Sequence, residues 1–364
     1  MQDFRHLRVS RKQAQTDEAA VVYLERPDGN AGDFRFEAGQ YLTLEVEVRG
    51  VRERRAYSMC TAPHDEEFGF CVKRLEGGKV SNYLLDTLRA GDELAVMPPD
   101  GRFKVATAPD AQRTYYLIGA GSGITPLMSI AREVLERESA SEVHLLYGNR
   151  SEDTIIFRRE LDQLAANYAG QFSVEHVLSQ PKRESAGGLK GLFGKKKAPE
   201  WEGRVGRVDP QALGEWLAAH PARAPQSDYY ICGPGGMIDT IEKDLLRRGV
   251  EADRIHTERF VVEAPADKIA GAADNTVTVT LDGAEHVITV PSDKTILETL
   301  VAQGQTPPYS CTSGACSTCI AKVTEGEVRM DVNHALDPSE VEEGYCLTCQ
   351  AHPVTSAVAL TYDE

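Results

Sequence analysis

Tyr309-Ser-Cys-Thr-Ser-Gly-Ala-Cys-Ser-Thr-Cys319 sets Cys311, Cys316 and Cys319 at a C-x4-C-x2-C spacing, and Cys349 follows after a long gap. One loop that supplies three thiolates, closed by a fourth from a later segment, is the plant-type [2Fe–2S] ligand pattern. The small residues Ser313, Gly314 and Ala315 let such a loop wrap tightly, so that backbone N–H groups can face cluster sulfurs. Gly314 is the residue best able to take the turn. Zinc is the competing ligand, with Cys346 and Cys349 as a second knuckle, and ordinary buried cysteines are the other alternative. The unequal gaps favour the cluster, and Cys346 is then left over as a small apolar packing residue.

The remaining composition narrows the setting. A chain of 364 residues with 41% hydrophobic content has core enough for two to three domains. Its first ten residues lack the apolar stretch of a signal peptide, which places the protein in the cytoplasm, where eight cysteines need not pair. A net charge of −16 argues against nucleic-acid binding. Residues 271–364 hold 14 Asp and Glu against Lys294, Lys322 and Arg329. That acidic region is a solvated face, or a surface that steers a basic partner.

Three textures succeed one another along the chain. Residues 1–107 alternate apolar and polar positions, as in Tyr41-Leu-Thr-Leu-Glu-Val-Glu-Val, the period of an antiparallel barrel. Within them Gly77-Gly-Lys-Val-Ser-Asn82 reads as a turn into a helix from Tyr83 to Leu88, capped by Ser81 or Asn82, whose free N–H groups suit a pyrophosphate. Residues 108–260 alternate strands and helices, the pattern of a parallel α/β sheet. Gly119-Ala-Gly-Ser-Gly-Ile-Thr-Pro126 follows the strand Tyr115–Ile118, with Thr125 as a cap and a helix around Met128 to Leu135. Cys232-Gly-Pro-Gly-Gly-Met237 follows the strand Tyr229–Ile231 and precedes a helix from Ile238 to Leu246. Two such turns at the carboxyl edge of a parallel sheet frame a dinucleotide crevice. Residues 181–203, rich in glycine and lysine, read as a mobile insertion, and 261–275 as a linker. Residues 276–364 then give a hairpin across Asp282-Gly283, a helix capped by Ser292 or Asp293 and ending at Leu300, the thiol loop, and a short helix from Asp337. Together these describe a β-grasp ferredoxin domain in a multidomain α+β and α/β protein.

Arg55-Ala-Tyr57-Ser58 and the Gly-Gly-Lys-Val-Ser-Asn turn together resemble the flavin-binding domain of the ferredoxin–NADP reductase superfamily. Alone, the first motif also fits a strand with Tyr57 in the core and Arg55 in solvent. The resemblance implies Arg55 on the flavin phosphates, Tyr57 stacked on the isoalloxazine and the Ser58 hydroxyl near N5. Val72, Lys73, Gly78, Lys79, Val80 and Ser81 complete an FAD site, FMN being the alternative. It further implies a nicotinamide nucleotide held by Gly121, Gly123, Thr125, Gly233 and Gly235, with Cys232 beside the nicotinamide. Phe260 would shield the flavin face, and Glu258 would join a proton network. Arg150, after a strand Val143–Leu146, could meet a 2′-phosphate. No acidic residue occupies that turn, which leans toward NADPH over NADH.

Within the superfamily the chain resembles the reductase components of multicomponent oxygenases, those of di-iron phenylacetyl-CoA epoxidases above all. Cys71-Val-Lys-Arg-Leu-Glu-Gly-Gly-Lys-Val-Ser-Asn-Tyr-Leu84, Gly148-Asn-Arg-Ser151 and Lys322-Val-Thr-Glu-Gly-Glu-Val-Arg-Met-Asp-Val-Asn-His-Ala-Leu336 carry that likeness. Reductases of ketosteroid hydroxylases share most of these motifs. Thr312 departs from the basic residue common in related clusters. The expected activity takes electrons from nicotinamide through FAD and the cluster to a di-iron or other oxygenase component. A stand-alone NAD(P)H oxidoreductase and an iron–sulfur redox sensor are the alternatives.

Overall fold

The computed structural model describes residues 4–26, 32–66, 68–182, 201–224, 226–260 and 275–363. Most of the insertion read at 181–203 and of the linker read at 261–275, Lys195, Lys196 and Lys197 included, lies outside them.

The first sheet is antiparallel and six-stranded, in the order Val51–Ser58, Tyr41–Val48, Glu93–Val96, Arg5–Thr16, Ala19–Leu24, Phe68–Lys73. Its alternating residues send Leu42, Leu44, Phe68, Phe70 and Val72 into one apolar core, closed by Val80, Leu84 and Leu88. The helix that supplies Val80 and Leu84 spans Lys79–Asp86, with Gly78 as its N-cap. It therefore starts four residues before the expected Tyr83. Neither Ser81 nor Asn82 caps it, because the Ser81 hydroxyl turns back to accept the Leu75 N–H at 3.2 Å.

The second sheet has six strands in the order Arg204–Val205, Phe172–Leu178, Glu142–Asn149, Arg113–Ala120, Gln226–Gly233, Ile255–Arg259, each neighbouring pair parallel. Chain order reverses between Arg113–Ala120 and Gln226–Gly233. A doubly wound sheet opens its ligand crevice at such a switch point, and both glycine turns emerge there. The helices after these turns span Ile124–Arg137 and Gly235–Arg247, longer at both ends than the sequence suggests. Thr125 does not cap the first of them. Gly123 is the N-cap, and the buried Thr125 hydroxyl donates to the Ser122 carbonyl at 2.8 Å.

The third unit has a mixed five-stranded sheet, in which Asn275–Leu281 pairs antiparallel with Ala284–Val290 and parallel with Ala357–Thr361. Val277, Val279, Ile288 and Val290 bury one face against the helix Ile296–Ala302. That helix is capped by Thr295, not by Ser292 or Asp293, since Thr295 and Glu298 close a reciprocal capping box. The helix Pro338–Glu342 has Asp337 as N-cap and proline in its first turn, as its sequence implies.

Candidate functional site

The thiol loop brings its sulfurs into contact. Cys311 N–H donates to Cys316 Sγ at 3.4 Å, and Gln350 Nε2 lies 3.7 Å from Cys349 Sγ. The Cys311 thiol is held low by its contacts with the Cys316 and Cys349 sulfurs, and backbone donors at Ser313 and Ala315 add to the effect. Cys319 is held low in the same sense by Cys349. Gly314 sits at φ +71°, and a Cβ there would lie 3.0 Å from both Val332 O and Gln350 Cγ, so only glycine fits. Among the described residues no three His, Cys, Asp or Glu side chains gather around a single-ion position. A donor set of four thiols with backbone N–H groups at the sulfur suits an iron–sulfur cluster. Cys346 stands apart, paired with Ala321 across two strands in the hydrophobic core, where burial pushes its thiol up to about 12.

On the barrel, Arg55 and Lys79 converge from opposite directions. Arg55 Nη2 lies 3.0 Å from Glu53 Oε2 and Lys79 Nζ 2.7 Å from Glu53 Oε1. The salt-linked Lys79, then Arg55, holds the Glu53 carboxyl below its ordinary value against partial burial. Two cations beside a helix start with no side-chain cap form an anion cradle. Sequence reasoning missed Glu53, although its two-residue offset from Arg55 puts both on one strand face. Tyr57 is half-buried against Phe70, ring centroids 5.4 Å apart. Val72 and Val80 bury their side chains in the barrel core, so only their backbones can meet a ligand.

Ser58 reaches across to the second sheet. Its Oγ donates to Glu258 Oε2 at 3.0 Å, and Glu258 is paired with Cys232 on the adjacent parallel strand. Burial raises the Glu258 carboxyl to about 8, against the opposing Ser58 bond. Burial, then Glu258, pushes the Cys232 thiol well above its usual range. The two glycine turns touch: a Cβ on Gly123 would lie 2.0 Å from the Cys232 carbonyl oxygen. Both following helices begin without a side-chain cap, at Gly123 and Pro234, which leaves N–H donors for a diphosphate. Gly121, Gly233 and Gly235 belong to these turns, and Phe260 packs on the core directly after the strand Ile255–Arg259.

Lys73, the last residue of the barrel strand Phe68–Lys73, reaches the first glycine turn. Its Nζ lies 3.1 Å from where a Cβ on Gly121 would stand. Desolvation, then the Arg150 guanidinium, lowers the Lys73 ammonium. Arg150 is exposed just beyond the strand Glu142–Asn149, which runs further than the expected Val143–Leu146. These two cations flank the first glycine turn.

The thiol loop and the short helix beyond it meet the barrel directly. Thr43 Oγ1 donates to Ser310 Oγ at 2.6 Å, the Arg54 guanidinium lies 4.4 Å from the Tyr309 ring centroid, and Arg102 pairs with Glu340 at 2.9 Å.

Three family models match the chain in order: an oxidoreductase FAD-binding domain over residues 6–105, an oxidoreductase NAD-binding domain over 117–243 and a 2Fe-2S iron-sulfur cluster binding domain over 279–354. The chain is 33% identical over 369 residues to a subunit of 1,2-phenylacetyl-CoA epoxidase from Escherichia coli, covering 100% of this chain and 99% of the relative. It is 34% identical over 372 residues to the ferredoxin reductase component of 3-ketosteroid-9-alpha-monooxygenase from Mycolicibacterium smegmatis, covering 98% and 97%. In fold it is similar to phthalate dioxygenase reductase, with a TM-score of 0.62 at 22% identity over 98% of both chains.

Proposed function

Since the chain belongs to the family of NAD(P)H-dependent flavoprotein iron–sulfur reductases that serve oxygenases, we propose that it draws on NADPH and feeds the oxygenase of phenylacetyl-CoA epoxidation. The observation that carries the internal path is the Ser58–Glu258 hydrogen bond, which joins the barrel to the nucleotide crevice on the barrel that also seats the thiol loop.

Bound FAD supplies the link between a two-electron donor and a one-electron acceptor. Arg55 and Lys79 would hold its phosphates, and Tyr57 and Phe260 would flank its ring. Ser58 Oγ, donating to Oε2 of the protonated Glu258, keeps a proton at the junction, and the buried Cys232 shapes the wall against which the nicotinamide rests. Gly121, Gly123, Gly233 and Gly235 let backbone N–H groups approach the diphosphate. Arg150 meets the 2′-phosphate, which supports NADPH over NADH. Cys311, Cys316, Cys319 and Cys349 hold the cluster.

Full-length coverage of the epoxidase relative supports phenylacetyl-CoA epoxidation as the destination. Ketosteroid hydroxylation is the second reading, favoured by an identity of 34% over 98% of the chain. No described helix is long and apolar enough to cross a membrane. None of the eight cysteines forms a disulfide, which fits the reducing cytoplasm.

The test is an anaerobic visible titration of the purified protein with NADPH and with NADH, followed by reconstitution with each oxygenase. Preferential bleaching by NADPH and turnover with the epoxidase alone are expected. In Arg150→Ala the NADPH KM should rise about tenfold, the loss of one charged hydrogen bond, with NADH unaffected. Equal use of both nucleotides by the wild type would reject the NADPH assignment, and faster turnover with the ketosteroid oxygenase would reject the destination.

A further inference from the structure

Tyr41 connects the hydride end of the site with the thiol end. It opens the strand Tyr41–Val48 and lies directly opposite Ser58 in the antiparallel pair. Residues opposite one another share a face, with Cβ atoms about 5 Å apart. From that position the Tyr41 hydroxyl lies 3.0 Å from the Cys316 carbonyl oxygen, to which it donates, and 2.9 Å from Thr318 Oγ1. The side chain is 4% exposed. Its ring is packed so closely by Gly101 that a Cβ there would come within 3.0 Å of two ring carbons. One tyrosine therefore touches the strand that carries Ser58 and a ligand-bearing peptide of the loop, and it has no room to turn away.

We propose that Tyr41 is the positioning residue for electron transfer inside the chain. Its ring fixes the Cys316 flank of the thiol loop beside Ser58, and the positive end of its O–H dipole, aimed at the Cys316 carbonyl, stabilises the charge added on reduction. This rests on the reading that electrons pass from the flavin barrel to the thiol-held cluster. The nicotinamide nucleotide supplies electrons in pairs to the flavin, from which they would reach the cluster one at a time in two separate transfers, and no proton moves at Tyr41.

The test uses Tyr41→Phe in the full-length holoprotein, because phenylalanine keeps the ring and removes only the hydroxyl. Its cluster should hold the electron about threefold to tenfold more weakly, the worth of one hydrogen bond, a fall in one-electron midpoint potential of at most about 59 mV. Its electron paramagnetic resonance signal should shift, and cluster bleaching should slow while nucleotide-driven flavin bleaching stays at the wild-type rate. Thr318→Val, which removes a partner of Tyr41 and the longer 3.4 Å bond from Thr318 to the same Cys316 carbonyl, should fall between. An unchanged potential and spectrum in Tyr41→Phe would overturn the proposal, whatever the rates do. Should Tyr41→Phe fail to retain its cluster, Thr318→Val decides, and an unshifted potential there overturns it. If nucleotide fails to bleach the wild-type flavin, the reading of the electron path falls instead. Potentials poised with dithionite would still test Tyr41.

Discussion

Glu258→Gln should flatten the pH dependence of both stability and flavin reduction. The carboxyl is raised to about 8 by burial, while an unfolded glutamate titrates near its ordinary value of about 4.3. Between those values the folded chain keeps a proton that the unfolded chain has lost. The protonated group's full contribution is therefore present below about pH 4.3, and it is lost as pH rises through 8. The whole difference is close to four pKa units, or about 5 kcal/mol at 1.36 kcal/mol per unit. Integrated only from pH 6 to pH 9, the loss is about 3 kcal/mol. Glutamine mimics the protonated acid at every pH, so Glu258→Gln should escape this loss. Denaturant titrations of both proteins at pH 6 and pH 9, followed by flavin fluorescence, should show the wild type weakening by about 3 kcal/mol more than the variant. Stopped-flow flavin bleaching should show an inflection near pH 8 in the wild type only. Parallel stability losses, or an inflection that survives in the variant, would refute burial as the cause and remove Glu258 from the proton network.

Three further outcomes are expected from the geometry. Cys349→Ala should abolish the iron–sulfur absorbance, whereas Cys346→Ala should keep it and cost about 1 kcal/mol of stability as a small core cavity; an equal loss of colour in both would reassign the fourth ligand. Gly123→Ala forces a Cβ to within 2.0 Å of the Cys232 carbonyl oxygen, so the turns must part; overpacking of about 1–3 kcal/mol should appear as a raised nucleotide KM, and a wild-type value would show that the turns yield freely. Electron delivery to the oxygenase should slow with added salt if the acidic C-terminal region steers docking; a flat salt profile in stopped-flow mixing would leave that charge a solvated face.

What could be read from the chain was local. Thiol spacing, glycine turns after apolar strands and period-two alternation each act within about ten residues, and they located all three units. Helix starts were less legible. Ser81 is a good N-cap residue in type, but its hydroxyl serves Leu75, and the helix begins at Lys79 instead. Thr295-Ile-Leu-Glu298 carries a capping box in plain view, yet Ser292 and Asp293 competed for the same role. Ser58 and Glu258 were each named through resemblance, but their contact spans 200 residues of chain. The Tyr41–Cys316 bond spans 275, and nothing near Tyr41 in the sequence distinguishes it from any strand residue of a barrel. The nearness of Lys73 to Gly121 was hidden for the same reason: a strand end can face either neighbour, and only packing decides which.

The thiol loop has a sealed side and an open one. Cys316 and Thr318 are pressed onto Tyr41, while Thr312 faces solvent with its carbonyl held by Gln350 at 2.9 Å. The loop thus meets the barrel on one side and solvent on the other. On that reading the exposed Thr312 side is the part of the loop left for a second protein to approach. Thr312 itself carries no charge, so any electrostatic guidance must come from the acidic residues elsewhere in this unit.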